Sequence, residues 1–442
     1  MVNALAAGTF DSEAHWRDVR MSRLPALHDR ERERIVAAMD ELLFPLCSEG
    51  DALVTRFPME EAHKAYLARI GFPFMHYSLK AEETGGHVFE ALASDNVRGK
   101  ELAVYSRLIP FSVVPGTLEA AAKYGWGPEL PSLEAVKLVN SKIYSTRLNL
   151  TMFGQTRGKP VYSSQELKAA GGELLQQYGA LLIKDPYGVS GKGNMLIQSI
   201  QALNRAAAYI WRQEEAGCST AFVLEPYLPV ERDFSCQFEI DAYGRFRFVS
   251  IQKMVNRQFA YLGSVSATEE ELESLKRTGY FDVMMQAADG LYRDGYFGPV
   301  CIDSMSLRDG TVVPIVEVNA RHSMGFINHG LDRVLADSGK KGFLTFRSLG
   351  FRLPFDYEAW LSELKREHLL YPNRKGNGIV PLSSATLLVN AHSYEPAFPE
   401  PGGGLCKGRL YMSVVADDDA EADAYLERMK MSFERKGGRW YD

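Results

Sequence analysis

The sequence predicts an α/β protein, and three observations carry that reading. Short apolar runs alternate with helical patterns through the first third of the chain, compatible with a parallel sheet. The segments from Asp233 to Ile240 and from Arg245 to Met254 alternate in polarity, as strands of an antiparallel sheet with one covered face do. The stretch from Gly298 to Gly325 reads as a β-hairpin, with Val300, Ile302, Val312, Val313, Ile315 and Val318 as strand formers around an Asp309-Gly310 turn.

Taken in order, residues 12–47 read as largely helical, with Leu27, Ile35, Met39, Leu42 and Leu43 as an apolar stripe among charges. Ala52 to Thr55 is a short strand, Met59 to Ile70 a helix, Leu102 to Tyr105 a strand and Gly116 to Tyr124 a helix. Gly71 to Lys100 fits no single pattern. A helix begins at Asn140-Ser141-Lys142 and runs to Phe153, and Gln165 to Tyr178 is helical again. A buried strand then ends at Lys184, a glycine-bearing loop follows, and Asn194 to Gln198 is the next strand. Ala202 to Glu215 is helical, and Ala221 to Glu225 is a strand that Pro226 and Pro229 convert into a linker, because proline cannot donate to a ladder. Glu269 to Tyr292 reads as one long helix, Leu331 to Leu349 as another, Arg409 to Val415 as a strand and Ala420 to Lys436 as a helix.

Composition excludes several classes of function. A chain of 442 residues exceeds one small core and implies two to four domains or subdomains. The net charge of −6 argues against nonspecific nucleic-acid binding. No apolar run approaches the ~20 residues of a membrane span, and the N-terminus lacks the pattern of a signal peptide. Cys47, Cys218, Cys236, Cys301 and Cys406 are scattered without a paired motif, which argues for a reducing, cytoplasmic compartment and against a zinc site.

The chemistry concentrates in two stretches. In the hairpin, Glu317 and Asn319 are two apart and share a face, and Asp303 lies roughly opposite on the partner strand, with Arg321 at the rim. Two carboxylates and an amide oxygen suit a hard cation such as Mg²⁺. Alone, the stretch reads equally as an ordinary hairpin with one wet face. The second stretch, Lys184 to Gly193, ends a strand in lysine and follows it with Gly188, Ser190, Gly191 and Gly193. Glycines let backbone N–H groups approach phosphate oxygens, although a plain glycine hairpin fits as well. Gly193 stands where a Walker A loop requires Ser or Thr, so that motif is a poor fit.

No single motif decides, but the order and spacing of Lys142, Lys184 with its loop, Glu225-Pro226-Tyr227-Leu228, Asp303 and Glu317-Val318-Asn319-Ala320-Arg321 resembles the ATP-grasp superfamily, from about Asn140 to Gly325 and more loosely over the whole chain. The resemblance implies that Lys142 and Lys184 reach ATP phosphates and that Gly188, Ser190, Gly191 and Gly193 form the loop that closes over them. It implies that Glu225 accepts from the adenine amino group, that Pro226, Tyr227 and Leu228 continue the linker whose backbone supports the ring, and that Asp233 meets the ribose. Asp303, Glu317 and Asn319 match ligands of two Mg²⁺ ions, which Mn²⁺ can replace, and Arg321 matches the arginine that meets the transferred phosphate. Asp303 departs from the pattern, since the first metal acid is often Glu, one methylene longer. His322 is a candidate for orienting an amine or acting as a base.

The architecture implied is an ATP-grasp fold: an N-terminal α/β domain (1–138), a lid (139–230), a central antiparallel sheet (231–352) and a C-terminal appendage (353–442). The activity implied is ADP-forming ligation of a small-molecule carboxylate, an amino acid or small peptide, to an amine through an acyl phosphate. A carrier-protein thiol as acceptor, and phosphoryl transfer, stand as alternatives. No nucleic-acid or membrane partner is expected, and a homodimer is compatible with such families.

Overall fold

The computed structural model describes residues 3–26, 28–79, 86–94, 99–127, 130–188, 193–257, 260–335, 339–391 and 404–441. Its strands fall into three sheets that follow one another along the chain. The first contains β1 (Ala4–Ala7), β2 (Ala52–Thr55), β3 (Met75–Ser78) and β4 (Arg107–Pro110), in the order β3-β2-β1-β4 and all parallel. β1 and β2 are buried throughout, as strands covered on both faces must be.

The second sheet contains β5 (Lys159–Val161), β6 (Leu181–Lys184), β7 (Asn194–Ile197) and β8 (Phe222–Pro226), in the order β5-β8-β6-β7 and antiparallel. Helices Ser164–Tyr178 and Ile200–Glu215 begin at Ser163 and Ser199, whose hydroxyls accept from Glu166 and Ala202 N–H groups. Their apolar faces close a small core with Leu167, Ile183, Leu203, Phe222 and Leu224, so this unit has an interior of its own.

The third sheet has nine strands among the described residues. They are β9 (Val230–Ile240), β10 (Phe246–Arg257), β11 (Ala260–Ser266), β12 (Gly298–Leu307), β13 (Val312–Asn319), β14 (Gly342–Phe351), β15 (Gly378–Pro381), β16 (Cys406–Val415) and β17 (Arg439–Tyr441). The order is β13-β12-β9-β10-β11-β14-β16-β15, with β17 on β14. The region expected as a C-terminal appendage thus extends the central sheet through β15, β16 and β17.

One core joins Leu53, Leu42 and Phe44 of the N-terminal part to Trp360, Leu410 and Met412 of the C-terminal part. A second joins Leu5 and Val54 to Phe238, Ile302 and Val318 on the central sheet. Glu41 reinforces the first: it is buried, accepts from the Ser384, Ala385 and Thr386 N–H groups, and burial pushes its carboxyl up to about 7.

Several expectations need correction. The strand placed at Leu102 to Tyr105 is the end of helix Gly99–Leu102 and a turn; the strand is β4, five residues on. The long helix from Glu269 is two, Glu269–Arg277 and Tyr280–Arg293, broken where Gly279 takes a left-handed φ of 73°. The helix expected to reach Leu349 ends at Leu335, and Gly342–Phe351 is strand β14, paired along its whole length with β16. Residues 17–26, 28 and 29 lie outside any helix, and Leu27 falls outside the described residues. Among the described residues no helix is long and apolar enough to cross a membrane.

Candidate active site

The site is assembled where β12 and β13 pair. Asp303 stands directly opposite Glu317, and Cys301 opposite Asn319, so the predicted oxygens share one face. The register shifts between Asp303 and Met305, a local irregularity of the kind that re-aims side chains beside functional sites. Asn319 Nδ2 donates to Asp303 Oδ2 at 3.1 Å. Burial and the facing Glu317 carboxylate push the Asp303 carboxyl up to about 7.

Both lysines reach this face. Ser141 caps helix Lys142–Phe153, and Gly154 ends it in a left-handed conformation. Lys142 Nζ, 5 % exposed, donates to Glu317 Oε1 at 2.8 Å and to the Gly188 carbonyl at 2.7 Å. Lys184, at the end of β6, lies 2.5 Å from Glu225 Oε2. Burial works against its charge, but Glu225, with Glu317 and Asp303 behind it, holds the ammonium above its usual range. One network therefore runs from the second sheet to the third.

The glycine loop is pinned at its base. Asp185 N–H donates to Gly193 O at 2.7 Å, and Lys142 N–H to Pro186 O at 3.0 Å. Gly188 and Gly193 meet back to back: a Cβ on Gly188 would lie 2.4 Å from the Gly193 Cα. Ser190 and Gly191 fall outside the described residues.

Arg321 is largely but not fully buried and is held by Glu13, whose Oε1 accepts from Nε at 2.9 Å and from Nη2 at 2.6 Å. Nη2 also donates to Asn319 Oδ1 at 3.1 Å, which ties the arginine to the oxygen cluster. Glu13 outweighs burial and keeps the guanidinium charged. Asn140 fixes the backbone between them: Ala320 N–H donates to its Oδ1 at 2.9 Å. His322 is placed differently. Its Nδ1 lies 2.8 Å from the Pro110 carbonyl, so Nδ1 carries the proton, and burial lowers the ring's proton affinity. Base chemistry there would fall to Nε2 alone.

Glu225, Pro226 and Leu228 line a cavity of about 440 Å³ with Thr146, Asn149, Met305 and β13 from Val312 to Val316. That size takes a small ligand. Tyr227 is exposed, and its N–H donates to Ala180 O at 3.0 Å. Asp233 accepts from Asn256 Nδ2 at 2.8 Å and lies close enough to Asp303 to raise its pKa further. Glu13, Asn140 and the Arg17–Asp185 ion pair were not found from sequence. Glu13 stands 308 positions from its arginine, and nothing local marks it.

Asp303, Glu317 and Asn319 fit a divalent cation. They present an oxygen-only donor set in which two facing carboxylates repel, and Lys142 and Asn319 now supply the opposing donors.

No family model matches the chain. Over 356 residues it is 24% identical to the [butirosin acyl-carrier protein]–L-glutamate ligase of Niallia circulans, covering 78% of this chain and 79% of that one. Among solved structures it resembles a biotin carboxylase–β,γ-ATP complex from Campylobacter jejuni at a TM-score of 0.55 and 15% identity, over 98% of this chain and 91% of that one. It also resembles N5-carboxyaminoimidazole synthase from Aspergillus clavatus, in complex with ADP and 5-aminoimidazole ribonucleotide, at a TM-score of 0.51 and 12% identity, over 85% of this chain and 96% of that one.

Proposed function

This chain has the ATP-grasp fold, and from that fold and the residues gathered on its central sheet we propose an ATP-dependent, ADP-forming carboxylate–amine ligase acting on an amino acid or small peptide. The observation that carries the reading is the gathering of the pairs Lys184–Glu225 and Lys142–Glu317 with the Asp303–Asn319–Arg321 chain, close enough for Glu317 and Asp303 to act electrostatically on Lys184. ATP brings several negative charges, and two lysines, a glycine loop and an arginine supply the matching donors.

On this reading the adenine lies against Glu225, Pro226, Tyr227 and Leu228, and the ribose near Asp233. Lys142, Lys184, Gly188 and Gly193, with Ser190 and Gly191, hold the phosphates. Asp303, Glu317 and Asn319 would hold Mg²⁺, which when bound supplies charge neutralisation to the phosphate oxygens. The substrate carboxylate attacks the γ-phosphorus, ADP leaves, and an acyl phosphate forms. The amine then attacks the acyl carbon and phosphate departs. Arg321, fixed by Glu13, faces the charge that develops on the transferred group. Binding and alignment provide most of the rate, so no nucleophilic side chain is required.

The Niallia circulans relative favours a second reading, in which the acceptor is a carrier-protein thiol rather than a free amine. A panel of amino acids, with and without a phosphopantetheine-bearing carrier protein, separates the two by ADP and phosphate release and by mass spectrometry of the product. ADP with phosphate on free amines supports the main reading. Release that requires the carrier supports the second, and ADP without free phosphate points instead to a phosphotransferase.

A further inference from the structure

We propose that His15, His87 and Glu90, with Asp11 beside them, form a site for a divalent transition-metal ion of the zinc class, separate from the Asp303 cluster. The ligand atoms of His15, His87 and Glu90 all lie within 4.8 Å of one another. His15 Nε2 is 3.4 Å from Asp11 Oδ1, and His87 Nε2 is 3.5 Å from Glu90 Oε1. Two ligands each about 2.1 Å from a tetrahedral ion stand about 3.4 Å apart, so these spacings match edges of such a site.

A second observation points to the same place. His87 is 1 % exposed, and its Nε2 is buried without a hydrogen-bond partner among the described residues; His15 Nε2 shares that condition. Buried polar atoms are normally satisfied, and an ion at the centre would satisfy both.

The charges agree. Asp11 stays ionised, since the neighbouring His15 ring and the hydrogen bond from Thr9 outweigh burial and bring its carboxyl to about 2. Burial, with His15 alongside, pushes His87 down to about 4, which leaves the neutral ring a metal takes. Arg56 opposes an added cation, and the carboxylates of Asp11 and Glu90 offset it. Phe89 N–H donates to His87 Nδ1 at 3.2 Å, so the ring proton sits on Nε2. Binding through Nε2 moves that proton to Nδ1 and costs this one long bond. Two imidazoles with carboxylates suit zinc, cobalt or nickel, whereas magnesium prefers oxygen alone. The scattered cysteines argue against a thiolate zinc site, and this cluster uses none. Helix Ser12–Trp16 carries both His15 and Glu13, so an ion here would clamp the anchor of Arg321 to helix Val88–Ser94.

The test is titration of the chelator-treated full chain with cobalt(II). The expected result is one bound equivalent with the visible absorption of a tetrahedral nitrogen–oxygen site. It should be retained in Asp303→Asn and lost in His15→Ala and His87→Gln. Zinc should raise the thermal midpoint of the unsubstituted chain and of Asp303→Asn, but not that of His15→Ala. Absence of the band from the unsubstituted chain, or its survival in both histidine variants, overturns the proposal. If His87→Gln fails to fold, His15→Ala, at a partly exposed position, decides alone.

Discussion

Lys142 Nζ rests 2.8 Å from Oε1 of Glu317, so a group expected to hold phosphate is neutralised by a group expected to hold metal. Arriving ATP and cation would part this pair, each taking one member. Replacing Glu317 with Ala should lower ATP turnover more than about 100-fold. Stability should move by only about 1–2 kcal/mol, because relief of the repulsion with Asp303 offsets the lost ion pair. ADP release and urea unfolding of the same preparation check both parts. Loss of the fold would make Glu317 structural.

Asp303 sets a pH dependence. Its carboxyl titrates near 7 in the folded chain, raised by burial and Glu317, and only the ionised form binds a cation. Magnesium affinity should therefore weaken as pH falls through about 7, by about tenfold per unit below it, and level off above. Calorimetric titrations across that range measure this. In Asp303→Asn the slope should flatten along with a lower affinity.

Glu13 positions Arg321. With Glu13→Gln the guanidinium keeps a hydrogen-bond acceptor but loses its counter-charge in a buried setting. The expected cost is about 1–3 kcal/mol of unfolding free energy, with turnover reduced more than about tenfold. Denaturant titration and steady-state kinetics read the two effects. Unchanged values in both would remove Glu13 from the site.

Gly188 and Gly193 leave no room for a side chain at the base of the glycine loop. Gly188→Ala should force that pinch open at a cost of about 1–3 kcal/mol. Nucleotide affinity, measured by binding of a fluorescent ATP analogue, should fall, whereas Gly172→Ala, where a Cβ meets nothing within 4 Å, should leave it unchanged.

The hairpin was legible because period-two alternation and a turn pair specify it locally, and the two-residue spacing of Glu317 and Asn319 then fixes a common face. Lys142 and Lys184 were legible only through their order along the chain, since each alone is an ordinary lysine. Glu13 and Arg17 were invisible because tertiary packing, not local pattern, gives them partners. The helix expected over Leu331 to Leu349 overran a break, marked by Gly339 at a φ of 71°, and a strand that pairing with β11 and β16 stabilises. Gly279 split the Glu269 helix for the same reason, a left-handed backbone that periodicity does not register.

Eight strands form one continuous ladder from the β12–β13 hairpin to β15, with β17 added on β14, and Trp360, Leu410 and Met412 share an interior with Leu42, Phe44 and Leu53. The final ninety or so residues are therefore inseparable from the first sixty. Removing them would strip β14 of β16 and β17 and leave an open, adhesive border beside an uncovered apolar floor. A substitution in β15 or β16 therefore acts on the same sheet that carries Asp303 and Glu317, and not on a separate C-terminal unit.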